Sequence, residues 1–177
     1  MRTLFSILAI LSAPALVNPN PPHDLVKKVI EQKEEKLKFK GINEFLHDIG
    51  HQESGNRYHV VNRFGYMGRY QFGNSTLKTL KIKVSKEAFL NSPELQEYAM
   101  LKNLNYNKKK LQKYIDRFDG VKIHGILVTE SGILAAAHLG GPGSVRKWFR
   151  NGKVSKDGNG IPITNYMQRF GGYQLNL

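Results

Sequence analysis

Apolar positions recur at helical rather than alternating spacing over most of the chain. Leu25, Val26, Val29, Ile30 and Leu37 form a narrow stripe along a highly charged segment from Asp24 to Lys38, suited to an outer helix or arm. Ile42, Phe45, Leu46 and Ile49 share one face of a second helix running to His51. Gly55 to Gly73, rich in Gly, Asn and aromatic residues, reads as a loop, and Asn74 to Leu80 starts another helix. Ser92-Pro93-Glu94 offers an N-cap, a first-turn proline and a first-turn acid, opening a helix that can run to about Phe118. Ser131 to Leu139 is a short apolar helix stopped by Gly140-Gly141-Pro142; Ser144 to Arg150 and Asn165 to Phe170 follow as helices. Lys81 to Val84 and Val121 to Val128 are the strand candidates, so the expected class is mainly α.

The ends of the chain carry a different signal. Met1-Arg2, the apolar run Leu4 to Leu11 and the small-x-small triplet Ala13-Pro14-Ala15 read as an export signal over residues 1–15, too short to span a bilayer. Asn18 to Pro22 cannot continue a helix, so residues 16–40 read as a spacer and the charged helix, and 41–177 as one folded domain. Lys and Arg number 27 against 14 Asp and Glu, a net charge of +13, of which the signal carries only Arg2. That balance favours an anionic partner, whether nucleic acid, acidic lipid or an anionic polysaccharide mesh. No cysteine is present, which excludes a disulfide scaffold, thiolate-bound zinc and a thiol nucleophile. No helix-turn-helix, zinc-ligand or RNP-like pattern supports nucleic acid, and no cofactor motif or metal-ligand set is evident; a monomer is expected.

Two Glu-Ser-Gly triplets compete for attention. Glu53 ends an amphipathic helix just before the Gly-rich loop; a carboxyl there is either an ordinary solvated surface acid or, if half-buried at a cleft, one held protonated as a general acid. Glu130 sits instead at the start of the Ile133 to Leu139 helix, where Thr129 and Ser131 cap and an acid complements the dipole, so its expected role is structural. Asp157-Gly158-Asn159-Gly160 lacks the bidentate Glu of a calcium loop and reads as a tight turn.

Glu53-Ser54-Gly55, then Gly65-Tyr66-Met67-Gly68-Arg69-Tyr70-Gln71 and Thr76, resembles the Glu-Ser-Gly … Gly-Ala-x-Gly-Leu-Met-Gln … Thr signature of the soluble lysozyme-like lytic transglycosylases. Ala136-Ala137-His138-Leu139-Gly140-Gly141-Pro142-Gly143-Ser144-Val145 is similar to that family's Ala-Ala-Tyr-Asn-Ala-Gly-Pro-Gly-x-Val segment, and Thr164-Asn165-Tyr166 resembles its Thr-x-x-Tyr element shortened by one residue. Departures are His138-Leu139 for Tyr-Asn, Arg69-Tyr70 for Leu-Met, and Asn62 where Ser is usual.

The resemblance implies a single lysozyme-like α domain with a groove for peptidoglycan glycan strands, Glu53 as the one essential acid, and an exported protein in the periplasm or outside the cell. Ser54, Gln71, Tyr70, His138 and Tyr166 are its candidate substrate contacts. Tyr70 and Tyr166 offer flat faces to sugar rings or side chains to the core; Gln71 is suited either to an N-acetyl group or to bracing the loop, Ser54 to a local cap, and His138 to substrate, to tuning Glu53 or to a satisfied place on its helix face. With one acid, the family's course is attack by the muramic acid 6-hydroxyl. A hydrolytic muramidase is the alternative, with Asp116, Asp119 and Glu130 as candidate partner acids, and a glycan-binding module without catalysis is the alternative of another class.

Overall fold

The computed structural model describes Asp24, Leu25, Lys27, Lys28 and residues 40–177. The export signal, the Asn18 to Pro22 spacer and most of the charged segment lie outside the described residues; the four described positions before residue 40 are helical and exposed. Residues 39–177 make one compact unit and 1–38 another. In order, the larger unit contains α1 (Ile42–Ser54), α2 (Asn74–Thr79), α3 (Lys86–Leu90), α4 (Pro93–Phe118), β1 (Lys122–Ile123), β2 (Ile126–Leu127), α5 (Glu130–Asn151) and α6 (Ile163–Arg169). The class is mainly α, as the helical spacing predicts.

α1 buries Phe45, Leu46 and Ile49 on its apolar stripe. It ends where Gly55 turns left-handed (φ 63°), with Gly55 N–H bonding to His51 O at 2.9 Å and Asn56 N–H to Gly50 O at 3.0 Å. A glycine at this place stops the helix without steric cost, and the stop leaves Glu53 in the last turn. α4 opens as expected, with Ser92 Oγ accepting Leu95 N–H.

α5 runs through the core, burying Ile133, Leu134, Ala135, Ala136 and Ala137. The expected break at Gly140-Gly141-Pro142 is a kink: Gly141 is non-helical (φ 74°, ψ 161°) and Pro142 restarts the second arm. α6 packs on the first arm at Gly132, where a side chain would collide with Met167 O.

Three expectations need correction. Lys81 to Val84 forms no strand, because Ile82 N–H folds back to Leu77 O. Val121 to Val128 is a hairpin rather than one strand, since His124 and Gly125 both take positive φ and pair Ile123 with Ile126. α3, whose N-cap Ser85 accepts Ala88 N–H, was not expected.

The 55–73 loop has no ladder of its own beyond single bridges and is fixed by two neighbouring side chains of α4. Gln96, fully buried, donates to Tyr58 O (3.1 Å) and Phe89 O (2.9 Å) and accepts Arg69 N–H (2.8 Å). Glu97 accepts Arg69 Nη1 (2.7 Å), Tyr58 Oη (2.9 Å) and Tyr70 Oη (2.6 Å). Gly68 (φ 73°) is pressed so closely on the Gln96 amide that a side chain there would overlap it. Replacing Gln96 by Ala strands one buried and two part-buried backbone groups, and an unsatisfied buried group costs about 1–3 kcal/mol. Urea unfolding of Gln96→Ala is therefore expected to lose about 3 kcal/mol or more, while Gln112→Ala, whose exposed amide meets Asp116, stays within about 0.5 kcal/mol of the parent.

Candidate active site

A cleft of about 600 Å³ opens beside the end of α1. Glu53 and Gln71 line it together with Tyr66 of the 55–73 loop, Thr76 and Thr79 of α2, Asn103, Tyr106 and Asn107 of α4, His138 and the kink of α5, and residues 155–159. The volume lies within the range usual for ligand sites.

The Glu53 side chain is only 14% exposed. Tyr166 Oη donates to its Oε1 at 2.7 Å, so α6 reaches across the fold to hold the acid. Burial raises the Glu53 carboxyl to about 7; the Tyr166 bond opposes that rise, and the charge of Asp157 adds to it. Glu53 is thus a carboxylic acid at mildly acid pH and a carboxylate just above neutrality. Burial and the adjacent Glu53 push the Tyr166 phenol upward, so it stays a donor.

His138 Nε2 lies 3.9 Å from Glu53 Oε1, but the two do not form an ion pair. Burial lowers the imidazole to about 4, against a smaller opposing effect of the Tyr70 carbonyl, so it is neutral at working pH. Its Nδ1 faces Asn103 Nδ2 at 3.0 Å, and an amide NH2 can only donate. The ring proton therefore sits on Nε2 and goes to Tyr70 O at 3.1 Å. Asn107 Nδ2 donates in turn to Asn103 Oδ1 at 3.3 Å. This chain of amides keeps His138 uncharged beside Glu53 and leaves the carboxyl without a cationic partner.

Of the six sequence candidates, Glu53, Gln71 and His138 line the cleft; the others do different work. Ser54 is buried, accepting Arg57 N–H (2.9 Å) and donating to Arg69 O (2.8 Å), so it braces the loop rather than meeting sugar. Tyr70 is fully buried with its hydroxyl on Glu97, and offers no face to a ligand. Tyr166 is 4% exposed and is the hydrogen-bond donor to Glu53, not a stacking platform. Gln71, left-handed at φ 51°, uses its NH2 on Gly68 O at 2.8 Å and so braces the loop from the cleft side.

Glu130 lies away from the cleft, paired with Lys108 at 2.9 Å. Asp119 caps α5 by accepting Glu130 N–H at 2.7 Å, and Asp116 meets Gln112 at 2.9 Å; neither lines the cleft. The acid that does is Asp157, whose Oδ1 also takes the N–H groups of Asn159 (2.9 Å) and Ile161 (2.7 Å). Its tight-turn reading holds, but the fold brings that turn to the site, and no local pattern encodes this. Asn103, Asn107 and Tyr106 went unnoticed for a similar reason: within α4 they look like ordinary helix positions. Among the described residues no group of three or more His, Asp or Glu side chains is placed to hold a metal ion.

The profile of the Transglycosylase SLT domain matches residues 30–160, well over half of the chain. No curated protein and no solved structure matches it with significance. The match over most of the chain, on a mainly α fold, shows that the chain belongs to the transglycosylase SLT domain family of lysozyme-like, peptidoglycan-cleaving proteins.

Proposed function

We propose that this protein cleaves the β-1,4 bond between N-acetylmuramic acid and N-acetylglucosamine in peptidoglycan by a lytic transglycosylase mechanism in which Glu53 acts first as acid and then as base. The observation that carries the reading is the buried Glu53 carboxyl, held by one neutral donor and poised near neutrality. In the first step the proton of Glu53 passes to the glycosidic oxygen as the bond from that oxygen to the muramic acid C1 breaks. Tyr166, already bonded to Oε1, stabilises the carboxylate so formed. In the second step Glu53 takes the proton of the muramic acid 6-hydroxyl while that oxygen bonds to C1. The acid is regenerated, the product is a 1,6-anhydro sugar, and no water is consumed. A group titrating near 7 serves both halves of this cycle.

One observation favours the hydrolytic alternative. Asp157 is a second carboxylate on the cleft, and glycosidases that admit water commonly use a pair of acids. The ring-closing course is preferred because Asp157 Oδ1 is already engaged by two backbone N–H groups. Either course places the protein with the cell wall, hence outside the cytoplasmic membrane; among the described residues no helix is long and apolar enough to cross one.

Mass analysis of muropeptides released from purified peptidoglycan separates the two. Anhydro ends are expected from the parent protein, and reducing ends that incorporate oxygen from labelled water would establish the muramidase instead. Glu53→Gln keeps shape and the bond from Tyr166 but has no proton to give, so release should fall by at least about 100-fold. A folded Glu53→Gln protein retaining a tenth of the parent rate would remove Glu53 from the acid role.

The pH profile gives a signed test. Protonated Glu53 is lost as pH rises through about 7, so kcat/KM on a soluble glycan should decline above that point. Tyr166→Phe removes the bond that lowers the Glu53 pKa and moves this decline to higher pH. Asp157→Asn removes a charge that raises it and moves the decline to lower pH. Shifts of the opposite sign would mean that the decline does not report Glu53.

A further inference from the structure

Two turns from distant parts of the chain meet at the cleft. The first, Asn62 to Tyr66, is closed by its own side chain: Asn62 Oδ1 accepts the N–H groups of Phe64 (2.9 Å) and Tyr66 (3.1 Å). The second, Asp157 to Ile161, is closed in the same way by Asp157 Oδ1. Arg63 Nη2 donates to Asn159 Oδ1 at 3.0 Å, joining positions 96 residues apart. The Phe64 ring lies against Gly158 so closely that a Cβ built there would stand 3.3 Å from Cζ. The Arg63 guanidinium lies over the same ring, 4.7 Å from its centroid. Phe64, Asp157, Gly158 and Asn159 all line the same cleft as Glu53, and Asp157 is near enough for its charge to act on the acid.

We propose that this contact is a stop: the glycan strand cannot continue past it, so the protein works from strand ends and releases short units rather than cutting within a strand. The inference rests on the glycan-cleaving reading above and specifies its substrate as a strand terminus. Its physical basis is that both turns are fixed by side-chain bonds to their own backbone. Such turns are pre-ordered rather than free to part for a polymer threading between them. The Arg63–Asn159 bond and the Phe64–Gly158 contact then join the two turns at the lining of the cleft.

The test uses long, uncrosslinked glycan strands and reads product length at equal extent of bond cleavage, so a change in rate alone does not alter the result. From the parent protein, disaccharide-sized products are expected from the earliest times while the remaining strands shorten gradually. Arg63→Ala/Phe64→Ala, which removes both the bond and the ring, should release fragments of many disaccharides at the same extent. A second readout needs neither turnover nor an altered turn. Glu53→Gln protein bound to strands of different length at high salt should saturate in proportion to the number of strand ends, not to total sugar. Early long fragments from the parent, or saturation that follows total sugar, would overturn the stop while leaving the Glu53 chemistry standing. End-only products from the double variant would overturn it equally. No cleavage by the parent would overturn the glycan-cleaving reading and the stop with it.

Discussion

A loop with no helix or sheet ladder of its own has to satisfy its backbone elsewhere, and here the buried amide of Gln96 does so. Its three bonds tie Tyr58, Phe89 and Arg69 to the first turns of α4, and the adjacent Glu97 collects Arg69, Tyr58 and Tyr70. The cleft depends on this arrangement, because the 55–73 loop contributes one of its walls and α4 another. A buried polar group whose partners are all present orders its surroundings, and the same group left unsatisfied is costly. Arg69 and Tyr70, which replace Leu-Met of the family signature, therefore belong to the fastening of the loop rather than to the lining of the groove. The retained Glu-Ser-Gly serves two ends at once: Glu53 faces the cleft, while Ser54 turns inward to Arg57 and Arg69.

The electrostatics of the site follow from what is kept away from Glu53. A cation within a few ångströms would favour the carboxylate and abolish the acid. His138 is the group best placed to become one, and the Asn107–Asn103–His138–Tyr70 chain, together with burial, keeps it neutral. Tyr166 supplies a single neutral hydrogen bond that orients Oε1. Strong positive charge on the chain as a whole is compatible with this, since the basic residues contribute no side chain to the Glu53 pair itself.

Local rules made the helices legible: the stripe of α1, the Ser-Pro-Glu opening of α4 and the Gly-Gly-Pro interruption of α5 are each decided by nearby residues. Glu53 stood out through the resemblance of its Glu-Ser-Gly and the following block to the family signature, since an acid on the last turn before a glycine is by itself an ordinary surface position. What sequence could not supply was the depth of individual aromatic side chains. Tyr70 and Tyr166 offered flat faces for sugar rings or side chains for the core, and sequence did not choose; one is wholly buried with its hydroxyl on Glu97 and the other stands behind Glu53. Asp157 shows the complementary difficulty: an Asp-Gly-Asn-Gly turn has a complete local explanation, and its nearness to the acid arises only from the way residues 152–162 return to the site. His138 was visible as a departure from the family pattern, but its neutral state depends on Asn103, 35 positions earlier.

Proton donation by Glu53 requires that it be an uncharged acid at mildly acid pH. Selective carbon-13 labelling of Glu side chains, with the Glu53 carboxyl resonance assigned by its disappearance in Glu53→Gln, follows its titration directly in the folded protein. A midpoint near 7, raised by burial over the opposing bond from Tyr166, is the predicted result. A midpoint at the ordinary carboxylate value near 4.5 would contradict it, because Glu53 would then be ionised over the range in which it has to donate a proton.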